Sequence, residues 1–200
     1  MKWLFAACAV LLLAGCGIKH QTIHPTLPTA HINPVDGRPI VIRAVTDSRT
    51  PLDNLALAPS DRPRNVGGVG RGGNGTAVDL DEETVASLGR QMVTQALRTM
   101  GYKVVSDATA DVPRIEIDIT RFSVEMPFSL LRAISYSQQM VADISTKVTI
   151  RDGASVQSFE ATGHGTNVFQ VVKPENWEVA INRAIEDFSK RFQEKMLTVE

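Results

Sequence analysis

The residues able to do chemistry are few and unevenly placed. Cys8 and Cys16 are the only cysteines, and both fall within the first sixteen of 200 residues. That excludes a disulfide framework, a Cys-ligated zinc site and a catalytic thiol in the body of the chain. His20 and His24 stand four apart, a metal-ligand spacing on a helix, but Pro25 and Pro28 argue against a helix there. They read as solvated linker histidines, and no metal is expected. His164 lies between Gly163 and Gly165 with no matching Ser, Cys or carboxylate signature. Glu116 and Asp118 alternate with apolar residues, so solvent exposure is expected of them rather than acid/base work. Residues 67–75 match GxGxxG twice, as Gly68/Gly70/Gly73 and Gly70/Gly72/Gly75, but Pro59 and Pro63 stand where the preceding strand would be. A phosphate site needs that motif tight between a strand and a helix N-terminus, so a flexible or hairpin loop is expected and no cofactor. Asp47-Ser48-Arg49 is either a functional charge pair or a turn-capping Asp beside a solvated Arg. With no serine elbow and no phosphate loop, the chain is not expected to be an enzyme.

Cys16 is different, because the residues before it form an ordered series. Met1-Lys2 is a short basic start, residues 3–13 are an uninterrupted apolar run, and Ala14-Gly15 are small. The run reaches 13 residues with Ala14 and Gly15, short of the ~20 a spanning helix needs but right for a secretory signal. Leu13-Ala14-Gly15-Cys16 resembles a bacterial lipobox. The resemblance implies lipid transfer to the Cys16 sulfur, cleavage of residues 1–15 and acylation of the new amino group. The competing reading is an ordinary secretory signal with an incidental cysteine. Two acyl chains suffice for stable anchoring. Gly17, rather than Asp, follows the cysteine, which by analogy favours the outer membrane with the domain facing the periplasm.

The 21 basic and 22 acidic residues give a net charge of −1; removing Lys2 leaves 20 against 22, or −2. Neither value suits a nucleic-acid binder. It also leaves no electrostatic hold on an anionic membrane, so attachment would rest on Cys16. Residues 16–38 hold Pro25, Pro28 and Pro34 and few large apolar side chains, and read as the lipidated cysteine plus a flexible tether. Residues 39–200 read as one domain.

Within that domain, residues 39–45 are rich in β-branched side chains, as in a buried strand. A loop near 30 residues follows, compatible with a short edge strand at 65–69. Asp79 or Asp81 is expected to cap a helix over 81–100, with Val85, Leu88, Met92, Ala96 and Met100 on one stripe and Gly101 at its end. A short strand at 102–105 comes next. Ile115, Ile117 and Ile119 alternate, then parity switches to Phe122 and Val124, which predicts a bulge near Thr120-Arg121. A second alternating run from Met140 to Ile150 ends at the turn signal Asp152-Gly153, and a return strand over 155–172 carries Gly163 and Gly165 as a bend. Pro174 opens a closing helix with Trp177, Ile181, Ala184, Phe188 and Phe192 inward. The expected fold is α+β: a two-layer sandwich, its mainly antiparallel sheet of four to five strands covered on one face by two helices. Between the two alternating runs lies the apolar connection 128–134. Phe128, Leu130, Leu131 and Ile134 there are either a partner or lipid contact, if exposed, or a short helix over the core edge.

These features together resemble the YajG-type family of bacterial lipoproteins. The likeness rests on Leu13 to Cys16, the strand ending in Asp47-Ser48-Arg49, the glycine loop before the helix, and Gly101-Tyr102-Lys103-Val104. It implies a periplasm-facing lipoprotein without established enzymatic activity, and it supplies no catalytic residues. The layout also resembles other small α+β envelope lipoproteins that assist larger assemblies. The leading expectation is therefore a non-enzymatic envelope lipoprotein, membrane-anchored through Cys16, that binds another envelope protein. A small-molecule or lipid-binding module near 128–134 is the alternative. An envelope-polymer hydrolase using His164 is a third, and it requires a carboxylate within hydrogen-bonding reach.

Overall fold

The isoleucine-rich run at 114–125 becomes the hub of the fold. A computed structural model describes residues 18–29, 37–50, 57–71, 74–106, 112–129, 132 and 134–199. In chain order these form β1 (Ile18–Ile23), β2 (Arg38–Asp47), β3 (Asn65–Arg71), β4 (Asn74–Leu80), α1 (Val85–Thr99), β5 (Tyr102–Val105), β6 (Arg114–Glu125), β7 (Gln138–Asp152), β8 (Ser155–Phe169) and α2 (Pro174–Val199). Along one edge β6 pairs with β7 antiparallel, and β7 with β8. Its other edge is shared. β2 runs parallel to it from Arg114 to Ile119, and β3 takes over at Val124 and Glu125. The sheet forks there: β5 continues the β2 branch, while β4 and β1 continue the β3 branch.

Side-chain alternation explains why β6 can be a hub. Ile115, Ile117 and Ile119 are buried; the register with β7 slips between Ile119 and Arg121; Phe122 and Val124 are then buried on the shifted parity. The bulge lies where the parity switch predicted it. On β7, Met140, Ala142, Ile144 and Val148 face the same core. Both helices cover that face, and they touch each other; α1 lies on β2 and β5, and α2 on β8 and β7, with its flank reaching β1. Gly163 and Gly165 do not mark a bend. A Cβ on Gly163 would stand 2.2 Å from Ala184 O, and one on Gly165 2.1 Å from Ala180 O, so they let α2 lie directly on β8.

Among the described residues, two helices and the α+β class are as expected; the sheet is not. It has eight strands, and four of its seven pairings are parallel: β1 with β4, β2 with β5, and both β2 and β3 with β6. The surplus strands come from segments read as tether and loop. β1 lies within the expected tether over 16–38; Ile23 is fully buried, and the chain beyond it follows α2, with His24 N–H donating to Glu178 Oε1 and Thr26 N–H to Asn182 Oδ1. Residues 18–23 are therefore a strand of the sheet rather than free tether. Much of the glycine stretch 67–75 is the β3–β4 hairpin, with β3 inside the sheet rather than at its edge. Gly67 shows why glycine is required: its φ is +135°, and a Cβ would stand 2.0 Å from Val124 O on β6. The α1 cap is Thr84, whose Oγ1 accepts from Ser87 N–H at 3.2 Å, rather than Asp79 or Asp81. Gly101, at φ +88°, ends the helix as expected.

Candidate functional site

The fork leaves backbone groups without strand partners, and Asp47-Ser48-Arg49 supplies them. Ser48 N–H donates to Ile119 O at 3.0 Å, the last tie between the β2 branch and β6. Arg49 then turns into the gap. Its Nη1 donates to Phe122 O at 3.0 Å and to Asn65 O at 2.8 Å, and its Nη2 to Arg62 O at 3.3 Å. Nε and Nη2 hold the Asp47 carboxylate at 2.7 and 2.8 Å. The charge pair is present, and Asp47 Oδ1 also caps the turn by accepting from Arg49 N–H at 3.3 Å; the side chain is only 12% exposed, so Arg49 is not solvated, and its donors are shared between Asp47 and backbone carbonyls. Behind it, Asn65 Nδ2 donates to Asp79 Oδ1 at 3.0 Å, and Asp79 Oδ2 lies 2.6 Å from His20 Nδ1. His20 is therefore tied into the sheet rather than free in a linker. An open cleft of about 710 Å³ borders the fork, lined by Arg49, Arg62, Asn65, Phe122 and Glu125 among others.

A second polar group crosses the sheet face opposite the helices. Arg121 on β6 contacts Asp143 on β7 at 3.3 Å, and Asp143 Oδ1 lies 2.8 Å from His164 Nδ1 on β8. Asp143 and His164 are direct cross-strand partners. The carboxylate that a hydrolase would need is thus in reach of His164. The pair is open, at 33% and 54% exposure, and His164 lines none of three clefts on the molecule. A polar pair on a sheet face is an ordinary cross-strand contact. The His164 backbone N–H donates to Asp187 Oδ2, and Arg183 Nη1 to Thr166 O, so α2 also screens the free edge of β8. Glu116 is half-buried between Arg43 and Arg151, at 3.3 and 3.7 Å, a structural ion-pair group. Among the described residues no cluster of His, Cys, Asp or Glu is placed to hold a metal.

The apolar connection behaves differently. Phe128 is 84% exposed and Ile134 75%, so these two do not fold over the core edge. Neither lines any of these three clefts. Tyr136, 86% exposed, and Val171 and Val172 on the β8–α2 connection join them as exposed apolar residues. Sequence reading missed these three: Tyr136 lies just past the apolar connection, and the valines were counted in the return strand, which ends at Phe169. Leu130, Leu131, Cys16 and the signal segment 1–15 lie outside the described residues. Trp177 is 1% exposed, a core residue as expected. Among the described residues no helix is long and apolar enough to cross a membrane.

No family model and no curated protein matches the chain. Among solved structures, a Xanthomonas campestris protein superposes with TM-score 0.47 at 11% identity, over 91% of this chain and 99% of that one. Rare lipoprotein B from Shewanella oneidensis gives TM-score 0.41 at 16% identity, over 55% of this chain and 85% of that one. A minor lipoprotein from Acinetobacter baumannii gives 0.33 at 10%, over 54% and 84%. At these scores the likenesses assign the chain neither a family nor a role.

Proposed function

We propose that the chain is a non-enzymatic envelope lipoprotein, held in the outer membrane by lipid on Cys16, whose periplasm-facing domain binds another envelope protein. The observation that carries the reading is the ordered N-terminal series of basic start, apolar run over residues 3–13, Ala14-Gly15 and Cys16. The paired state of the polar clusters agrees with a binding rather than a catalytic role. Arg49 is spent on backbone carbonyls, and Asp143 with His164 is an open cross-strand contact. The test is metabolic labelling with radioactive palmitate in a Gram-negative host. Wild type is expected to take up label and Cys16→Ala to take up none; label on Cys16→Ala would overturn the anchor. In-cell crosslinking of the labelled protein, followed by identification of the captured protein, tests the partner.

A further inference from the structure

The strand registers place the exposed apolar residues and the start of β1 at the same end of the sheet. β6 ends at Glu125, opposite Gly68 of β3. β3 continues two residues to Gly70, which pairs with Gly75, and Gly75 pairs with Ile18. Ile18 therefore stands beyond the end of β6, and Cys16 is two residues upstream, within at most ~7 Å of chain. β7 and β8 pass Glu125 at that same end, to the Gln138–Phe169 pair, and the connections 126–137 and 170–173 lie beyond. Those connections and the last turn of β8 expose Phe128, Ile134, Tyr136, Val168, Val171 and Val172, between 55% and 86% each. The opposite end, with the β7–β8 turn and the last turn of α2, exposes only Val156 and Leu197 among large apolar residues described.

Exposed apolar side chains clustered at one end mark a contact surface. We infer that this end of the domain rests on the bilayer to which Cys16 is attached, with Phe128, Ile134 and Tyr136 in the headgroup boundary. The inference rests on the lipid anchor proposed above and says what that anchor does to the domain. With β1 beginning at Ile18, the chain has no slack to hold this end away from the membrane. Charge adds little: connections 126–137 and 170–173 contain one base each, Arg132 and Lys173, and Glu125 and Glu175 flank them. Tyrosine is a residue type enriched at that boundary.

Fluorescence quenching of the processed full-length protein tests this. The protein is reconstituted in phosphatidylethanolamine/phosphatidylglycerol vesicles whose acyl chains carry bromine. Tyr136→Trp and Val156→Trp are compared, the emission of Trp177 being subtracted from unsubstituted protein. Interfacial side chains sit ~5–10 Å into the boundary, so Tyr136→Trp is expected to lose roughly half its added emission and Val156→Trp almost none. Equal quenching of the two variants, or no quenching of either on protein that floats with the vesicles, would overturn the inference and leave the anchor standing. The second result would assign the surface to a protein partner. Wild type that fails to float would remove the anchor and this inference with it.

Discussion

The fork and the apolar loop end lie within a few residues of each other on β6, and they use opposite chemistry. At the fork, charged and amide groups are paired, and Asn65 and Asp79 among them are buried: Arg49 with three backbone carbonyls and Asp47, Asn65 with Asp79, Asp79 with His20. At the loop end, large apolar groups stand in solvent. Phe122 at the fork is 3% exposed, and Phe128 just beyond the strand is 84% exposed. Among the described residues, the charged and amide side chains at the fork build architecture. The surface left to contact something else is made of plain hydrocarbon and one phenol. A buried polar group is retained where the backbone needs a partner. An exposed apolar group has no such use inside the domain.

The largest effect expected is at the fork's tightest point. Gly67→Ala must fit a Cβ 2.0 Å from Val124 O at a φ of +135°. Positive-φ strain and the backbone clash together are expected to cost about 4 kcal/mol or more, read as loss of the folded baseline in urea unfolding monitored by circular dichroism. Stability within 1 kcal/mol of wild type would mean that β3 does not approach β6 so closely. Arg49→Ala comes next. It removes the donor to Phe122 O and Asn65 O and leaves Asp47 only the backbone N–H of residue 49, so about 2–4 kcal/mol is expected in the same measurement. Arg49→Lys should rescue only part of this, because an ammonium cannot reproduce the planar fork. Full rescue by lysine would reduce Arg49 to a point charge.

These two positions also show where sequence reading stops. The β6 bulge, α1, β5 and the turn at Gly153 were legible because each leaves a local mark: a parity switch, a 3.6-residue stripe, a turn dipeptide. β1 leaves none, and β3 leaves only enough for a short edge strand at 65–69. β1 contributes one fully buried residue, Ile23, to a parallel pairing with a strand more than fifty residues away, and β3 packs through glycine backbone. Arg49 was noticed, but its role was not readable, since Phe122 O is 73 residues distant and no pattern announces a carbonyl in need of a donor. The loop end was legible in part. Phe128 and Ile134 stood out as an apolar connection, but whether they were exposed, and which end of the sheet they shared with Ile18, depends on strand registers that composition does not encode.

The smallest expected effect is the sharpest check on the comparison. Phe128→Ala removes an 84% exposed side chain and should change unfolding free energy by no more than about 0.5 kcal/mol, with no shift in the urea midpoint. A truncated core phenylalanine typically costs ~3–5 kcal/mol, so the two regimes are well separated. A loss above about 1 kcal/mol would show that Phe128 packs on the domain, and the loop end would then be part of the core rather than a contact surface. A neutral result, by contrast, leaves a large hydrocarbon that the fold does not use. Its exposure then costs the isolated domain solubility without adding stability, which makes sense only if a surface outside the domain covers it.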